Sequence, residues 1–305
     1  MHQNNHPPLA ILILIGLVAG GLRLYGLDVQ SLWHDELFSW YSSQLDSLSL
    51  AVDFGASQDV HPPGFVAFLY FWRSVFGDSE AALRLPSAIA GIASCWWIYR
   101  LGKRWFSTRI GLTSATLLSV SSMAIYFSQE ARAYSFVLLG TVALAERTLE
   151  VTQRQTSEPV SKGQISLLVI LCIALSYLHY FGLLFVAFTL ASWGLTLLRK
   201  QVGWRPWIIV TGLSVAAYLP WANQVFSQVD RGKVWIPEVT LSRIVDVYAS
   251  LAQQQLIPVI CLWLAGALCG WAWALRNQKQ TTTEWLQTVR RSPVLWILAW
   301  ASIPM

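Results

Sequence analysis

The sequence predicts an all-α, polytopic membrane protein: a bundle of spanning helices, with two further helices lying in the interface within its first long loop. Three observations carry this. Apolar residues make up 55% of the 305 residues and charged ones only 12%, against roughly 45–50% and 25% in soluble domains. Apolar runs long enough to match a hydrocarbon core of about 30 Å recur along the chain. The basic residues between those runs fall into clusters, which is the signature of loops on one side of a membrane.

Polar breaks delimit spans near 9–27, 84–101, 110–127, 133–149, 165–179, 181–198, 206–222, 256–275 and 293–305. Leu9 to Leu27 is longer than a signal-peptide core, and no Lys or Arg precedes it, so it is expected to be a retained first span. Leu37, Trp40, Tyr41, Leu45 and Leu48 recur at spacings of three and four and mark the first interfacial helix. The second is Pro63 to Phe76. It carries an apolar stripe of Phe65, Phe68, Leu69, Trp72 and Phe76 opposite Arg73, and its length, about 21 Å as a helix, is short for a span. The whole chain, 1–305, is expected to be one transmembrane domain with a loop at 28–83 outside the membrane. It stops partway into its last apolar run, as a C-terminally truncated domain would.

If the N-terminus is cytoplasmic and Pro63 to Phe76 does not span, 14 of the 21 Lys and Arg face the cytoplasm and 12 of the 16 Asp and Glu face outside, as the positive-inside rule requires. The chemistry is therefore expected outside. The net charge of +5 is explained by topology, and no nucleic-acid partner is expected. Cys95, Cys172, Cys261 and Cys269 lie within apolar runs without metal or redox spacing and read as packing residues.

The outer set of charges holds the candidates for chemistry. Asp35-Glu36 opens the first interfacial helix, where carboxylates suit the helix dipole. They read either as caps or as a general base and a ligand for Mg²⁺ or Mn²⁺. His61 precedes Pro62-Pro63-Gly64 and is either structural or a ligand. Glu130 and Arg132 sit in a short turn between two spans, where they either pair with each other or serve a substrate. Arg23 and Arg84 lie near span ends, placed to snorkel or to grip a phosphate. No phosphate-binding glycine loop, Rossmann pattern or nucleophile triad occurs, so neither a nucleotide nor a redox cofactor is expected.

In order, Arg23-Leu-Tyr-Gly-Leu27, Leu32-Trp-His-Asp-Glu36, His61-Pro-Pro-Gly64, Phe76-Gly-Asp-Ser-Glu-Ala-Ala-Leu-Arg-Leu-Pro-Ser-Ala88 and Tyr126-Phe-Ser-Gln-Glu-Ala-Arg-Ala-Tyr134 resemble the GT-C superfamily of polyprenyl-phosphate-sugar glycosyltransferases. The nearest branch is the protein-mannosyltransferase and aminoarabinose-transferase-like group, and His179-Tyr-Phe-Gly182 is a weaker later match. The resemblance implies a GT-C membrane enzyme, inverting, that moves a hexose or pentose from a polyprenyl-phosphate donor to a lipid, glycan or protein hydroxyl at the outer face of the plasma (inner) membrane. It implies Asp35 as the main catalytic carboxylate with Glu36 beside it, and Glu130 as a second acidic position. A divalent cation would lie on Asp35 and Glu130. His61, Arg84 and Arg132 would contact phosphate, while Tyr134, His179 and Tyr180 would line the pocket. Two other readings stand beside this one. A transporter or flippase would place its charges near midplane on broken helices with repeated halves, and an inactive truncated homologue would lack the later spans.

Overall fold

The computed structural model describes residues 9–154, 159–200 and 203–235, with 240 and 242. The residues up to Gly232 form one compact unit. The expected spans at 256–275 and 293–305, with Cys261 and Cys269, lie outside the described residues. Among the described residues every regular element is a helix.

The first helix, α1, runs Leu9–Leu24. The loop that follows holds three short helices, α2 (His34–Ser43), α3 (Leu48–Gln58) and α4 (Gly64–Phe76), where the apolar spacing predicts two. The extra break has a local cause. The Ser47 hydroxyl accepts the Leu50 N–H at 3.2 Å, an N-cap that starts a new helix and divides Leu45 from Leu48. Beyond the loop come α5 (Glu80–Trp105), α6 (Thr108–Ser119), α7 (Ser122–Ser128) and α8 (Tyr134–Arg154). They are followed by α9 (Lys162–Leu178), α10 (Tyr180–Lys200) and α11 (Arg205–Tyr218), then a 3-10 turn at Leu219–Trp221 and α12 (Ala222–Trp235).

Among the described residues three helical stretches are long and apolar enough to cross a membrane: Glu80–Trp105, Tyr180–Arg199 and Arg205–Gln228. The pair α6 and α7 is a fourth if counted as one span, although it bends by 61°. The chain is an integral membrane protein. The run at 110–127 reads as continuous by hydropathy, so this bend is a structural finding. At 13 residues, α4 reaches only about 20 Å, as the sequence predicts.

The first-loop end is held by an apolar core of Phe65, Leu69, Leu83, Ala131 and Ala133, flanked by Leu32, Trp40, Phe68, Trp72, Phe136 and Leu178. It draws together α2, α4, α5, α8 and the α7–α8 turn. Pro86 inside α5 has no N–H to give the Ala82 carbonyl, and Trp72 Nε1 of α4 donates to that carbonyl at 2.8 Å. Gly64 has a different reason to be there. A Cβ at this position would lie 2.7 Å from the carbonyl carbon of Tyr177 and closer still to its oxygen, so only glycine lets α4 start against the end of α9. At the other end of α5, Glu146 of α8 is fully buried among Arg100, Arg104 and Arg147 at 2.9–3.2 Å.

Candidate active site

The site is built on the turn from Gln129 to Ala133, which faces α2 and the Asp59–Pro63 segment. Glu36 anchors it. Its side chain is fully buried and accepts from Arg84 Nε at 2.8 Å and Nη2 at 2.7 Å. It also accepts the Ala131 N–H at 2.7 Å and the Trp33 N–H at 3.3 Å. Arg84 gives its remaining bonds to the carbonyls of Leu27, Gln30 and Ser31 at 2.7–3.2 Å. All five guanidinium N–H groups are thus engaged within the protein. The geometry gives Glu36 and Arg84 to the architecture of the loop: the pair pins α2, α5, the loop entry and the α7–α8 turn at one point, and leaves Arg84 no donor for a phosphate.

Asp35, the neighbouring residue on α2, is half-buried, and among the described residues no hydrogen bond or ion pair engages its carboxylate. Glu130 is only 5% exposed, and its Oε2 is buried with no hydrogen-bond partner among the described residues. Burial pushes its carboxyl above the usual carboxylate range. The nearby Tyr126 hydroxyl and Arg132 charge oppose that rise, and the negative charges of Glu36 and Asp35 add to it. Two acids with little to satisfy them therefore share one corner.

Arg132 stands between this corner and a cleft. It does not form an ion pair with Glu130. Its Nη1 donates to Ser39 Oγ at 3.0 Å and to the Asp35 carbonyl at 3.3 Å, and among the described residues no hydrogen bond engages the rest of the guanidinium. A cleft open to solvent is lined by Arg132, Tyr134, Ser39, Asp59, His61 and His179 over an apolar floor that includes Phe65 and Leu178. His61 Nδ1 donates to Asp59 Oδ1 at 2.7 Å. Burial pushes the Asp59 carboxyl up, but the His61 bond and charge, the Arg132 charge and the Val60 N–H together leave it below its usual range. His179 lies 4.8 Å from His61, ring to ring, and its Nδ1 accepts the Phe181 N–H at 3.1 Å. Burial, with the His61 and Arg132 charges, holds His179 down to about 3 against a weaker pull from Asp59. It is therefore neutral and carries its proton on Nε2.

Of the residues expected to contact substrate, the structure brings His61, Arg132, Tyr134 and His179 to one cleft. Asp35 and Glu130 lie together beyond Arg132. Tyr180 is elsewhere: its hydroxyl donates to Gln228 Oε1, and Gln228 Nε2 in turn reaches the carbonyls of Asp59 and His61, each at 3.2 Å. Tyr180 thus holds α12 against the cleft's rim. Sequence reasoning missed Asp59 and Ser39. The Asp59-Val60-His61 spacing was the available signal for the first. Ser39 lies one helical turn after Asp35, which is a weaker signal.

A protein-family model described as dolichyl-phosphate-mannose-protein mannosyltransferase matches residues 60–221, more than half of the chain. The chain belongs to this mannosyltransferase family. The matched segment takes in His61, Glu130, Arg132, Tyr134 and His179, while Asp35 and Glu36 precede it. No curated protein matches the sequence. Among solved structures, the apo oligosaccharyltransferase of Archaeoglobus fulgidus is similar at a TM-score of 0.55 and 15% identity, over 72% of this chain and 30% of that one. The same protein with an inhibitory peptide and a dolichol-phosphate gives 0.47 and 14%, over 86% and 38%. Its complex with Zn and sulfate gives 0.46 and 14%, over 88% and 40%. The mannosyltransferase-family chain thus spans less than half the length of these oligosaccharyltransferase chains. At such identity the first likeness establishes a shared fold.

Proposed function

We propose that this family member is a membrane glycosyltransferase that takes a sugar from a polyprenyl-phosphate donor and passes it to a hydroxyl acceptor, with the site facing outside the plasma membrane. The observation that carries the reading is Arg132. It is a guanidinium fixed by one nitrogen to α2, with its free edge in a cleft shared with His61 and His179, while two underused carboxylates stand just behind it. A fixed guanidinium fork suits a phosphate, and carboxylates beside it suit deprotonation of an acceptor. The family match supports the class of chemistry.

In this mechanism the acceptor hydroxyl attacks the anomeric carbon and gives its proton to Asp35, and the bond from that carbon to the phosphate oxygen breaks. The electron pair leaves with the polyprenyl phosphate, whose added charge meets Arg132 and the Nε2–H of His179. One displacement inverts the anomeric centre. Glu130, held above the usual carboxylate range, is the alternative acceptor for the proton.

Family resemblance also implies a divalent cation. Among the described residues no group of three His, Cys, Asp or Glu is placed to hold one. The unpartnered Glu130 Oε2 and the free Asp35 carboxylate fit only an ion that takes its other ligands from phosphate and water, as Mg²⁺ does. Such an ion would screen phosphate charge.

The test is to reconstitute the purified chain with a panel of polyprenyl-phosphate hexoses and pentoses and to measure both sugar transfer and transbilayer flux. Transfer without flux is expected. Flux without transfer would favour the transporter reading, and neither would favour an inactive homologue.

A further inference from the structure

A cation with no carboxylate in reach among the described residues sits at the bend between α6 and α7. Arg23, in the last turn of α1, is fully buried. It donates to the carbonyls of Leu118 and Ser119 at 2.9 Å, to the Ala19 carbonyl at 3.4 Å and to Ser128 Oγ at 3.2 Å. Leu118 and Ser119 end α6, where helix carbonyls lack partners and a positive charge is favoured. The return contact comes from Gln129, whose Nε2 donates to the carbonyls of Leu22 and Tyr25 at 3.2 and 2.8 Å, at the end of α1. The two helix ends cap each other.

Gly91 of α5 makes room for this arrangement. A Cβ there would lie 2.9 Å from Ser128 Cβ and 3.0 Å from Arg23 Nε, and closer still to Ser128 Oγ. Ser128 also accepts from Ser135 Oγ at 3.2 Å, which ties the end of α7 to the start of α8. The residues enclosed between these ties are Gln129 to Tyr134, the turn that carries Glu130 and Arg132. Straightening the 61° bend would swing the far end of the 7-residue α7 by about 10 Å at 1.5 Å rise per residue.

We infer that Arg23 is a positioning residue. By capping α6 and gripping Ser128 it sets where α7 ends, and so where Glu130 and Arg132 stand relative to Asp35. It touches no substrate. Its bearing on catalysis rests on the function proposed above, whereas its hold on the turn does not. Snorkelling, the ordinary role of an arginine near a span end, would leave the guanidinium in the headgroups. Here it is enclosed and bonded to a helix on the far side of the break.

Hydrogen exchange of the protein in nanodiscs tests this without reference to activity. Arg23→Lys keeps the charge but has no planar fork, and Gly91→Ala drives a methyl into Ser128. Each is expected to speed exchange across 129–133 roughly tenfold, the equivalent of losing one buried hydrogen bond, while the amides of 142–144 in α8 stay protected. Wherever transfer is measurable, kcat should be low in both single variants. Unchanged exchange at 129–133 in both single variants, or equal loosening of α8, would overturn the clamp. Faster exchange with an unchanged kcat would overturn its role in positioning. A wild-type protein that transfers no sugar but shows the exchange pattern would keep the clamp and remove only the functional reading.

Discussion

Removing the Glu36 carboxylate is expected to be among the most destabilising single changes in the first loop. Glu36 receives two charge-assisted bonds from Arg84 at 2.7–2.8 Å and two backbone N–H bonds, with no exposed surface of its own. In Glu36→Ala, Arg84 becomes a buried cation facing only carbonyls, and the Ala131 N–H loses its partner. Breaking a buried pair this way costs about 3–5 kcal/mol, or roughly 6–20 °C in the unfolding midpoint at the 2–4 °C per kcal/mol of a domain this large. Removing both partners leaves no orphaned charge, so Glu36→Ala with Arg84→Met should be less damaging than the two single effects added together. Tryptophan fluorescence during thermal unfolding in detergent reads all three variants. A Glu36→Ala midpoint within about 1 °C of wild type, an effect well under 1 kcal/mol, or strict additivity in the double variant, would refute the argument.

Acid should weaken the protein through His179. Its unfolded value lies near 6.5 and its folded value is about 3, so the unfolded chain binds the extra proton and stability falls as pH drops below about 6.5. Between pH 6.5 and 4.5 the loss is about 2 kcal/mol, and His179→Gln should remove that share of the pH dependence in unfolding titrations. Glu146→Ala should be destabilising by about 1–3 kcal/mol, because it takes the buried carboxylate from Arg100 and leaves Arg104 and Arg147 only Glu150 as an ion-pair partner among the described residues. Glu146→Gln should recover part of that, as read by thermal unfolding.

The parts of the fold that were legible in the sequence are those governed by local signals. The start of α2 follows from Asp35 and Glu36 in its first turn, and α4 from the apolar stripe between Pro63 and Phe76. The spans near 84–101 and 181–198 follow from apolar length alone. What was hidden depends on partners distant in the chain. Glu36 and Arg84 are 48 residues apart, and nothing in either segment reveals that the second acid of the Asp-Glu pair is structural while the first is free. The α6–α7 bend was invisible because hydropathy reports how apolar a run is, and the polar group that satisfies the broken helix is Arg23, about 95 residues earlier. Arg100 and Arg104 read as loop charges, because hydropathy ends their span before the helix itself ends. The structure carries α5 to Trp105 and packs these arginines on Glu146 of α8. The cleft was half legible: the types of its residues were, but the hydrogen bond that turns His61 toward Asp59 was not.

The central claim is that Asp35 is the base and Glu36 beside it is the scaffold. Transfer from a labelled polyprenyl-phosphate sugar by Asp35→Asn protein, with its unfolding midpoint measured alongside, addresses this most directly. The account predicts transfer reduced by at least about 100-fold, the scale of a lost general base, with a midpoint like that of wild type. Near-normal transfer by Asp35→Asn would contradict it.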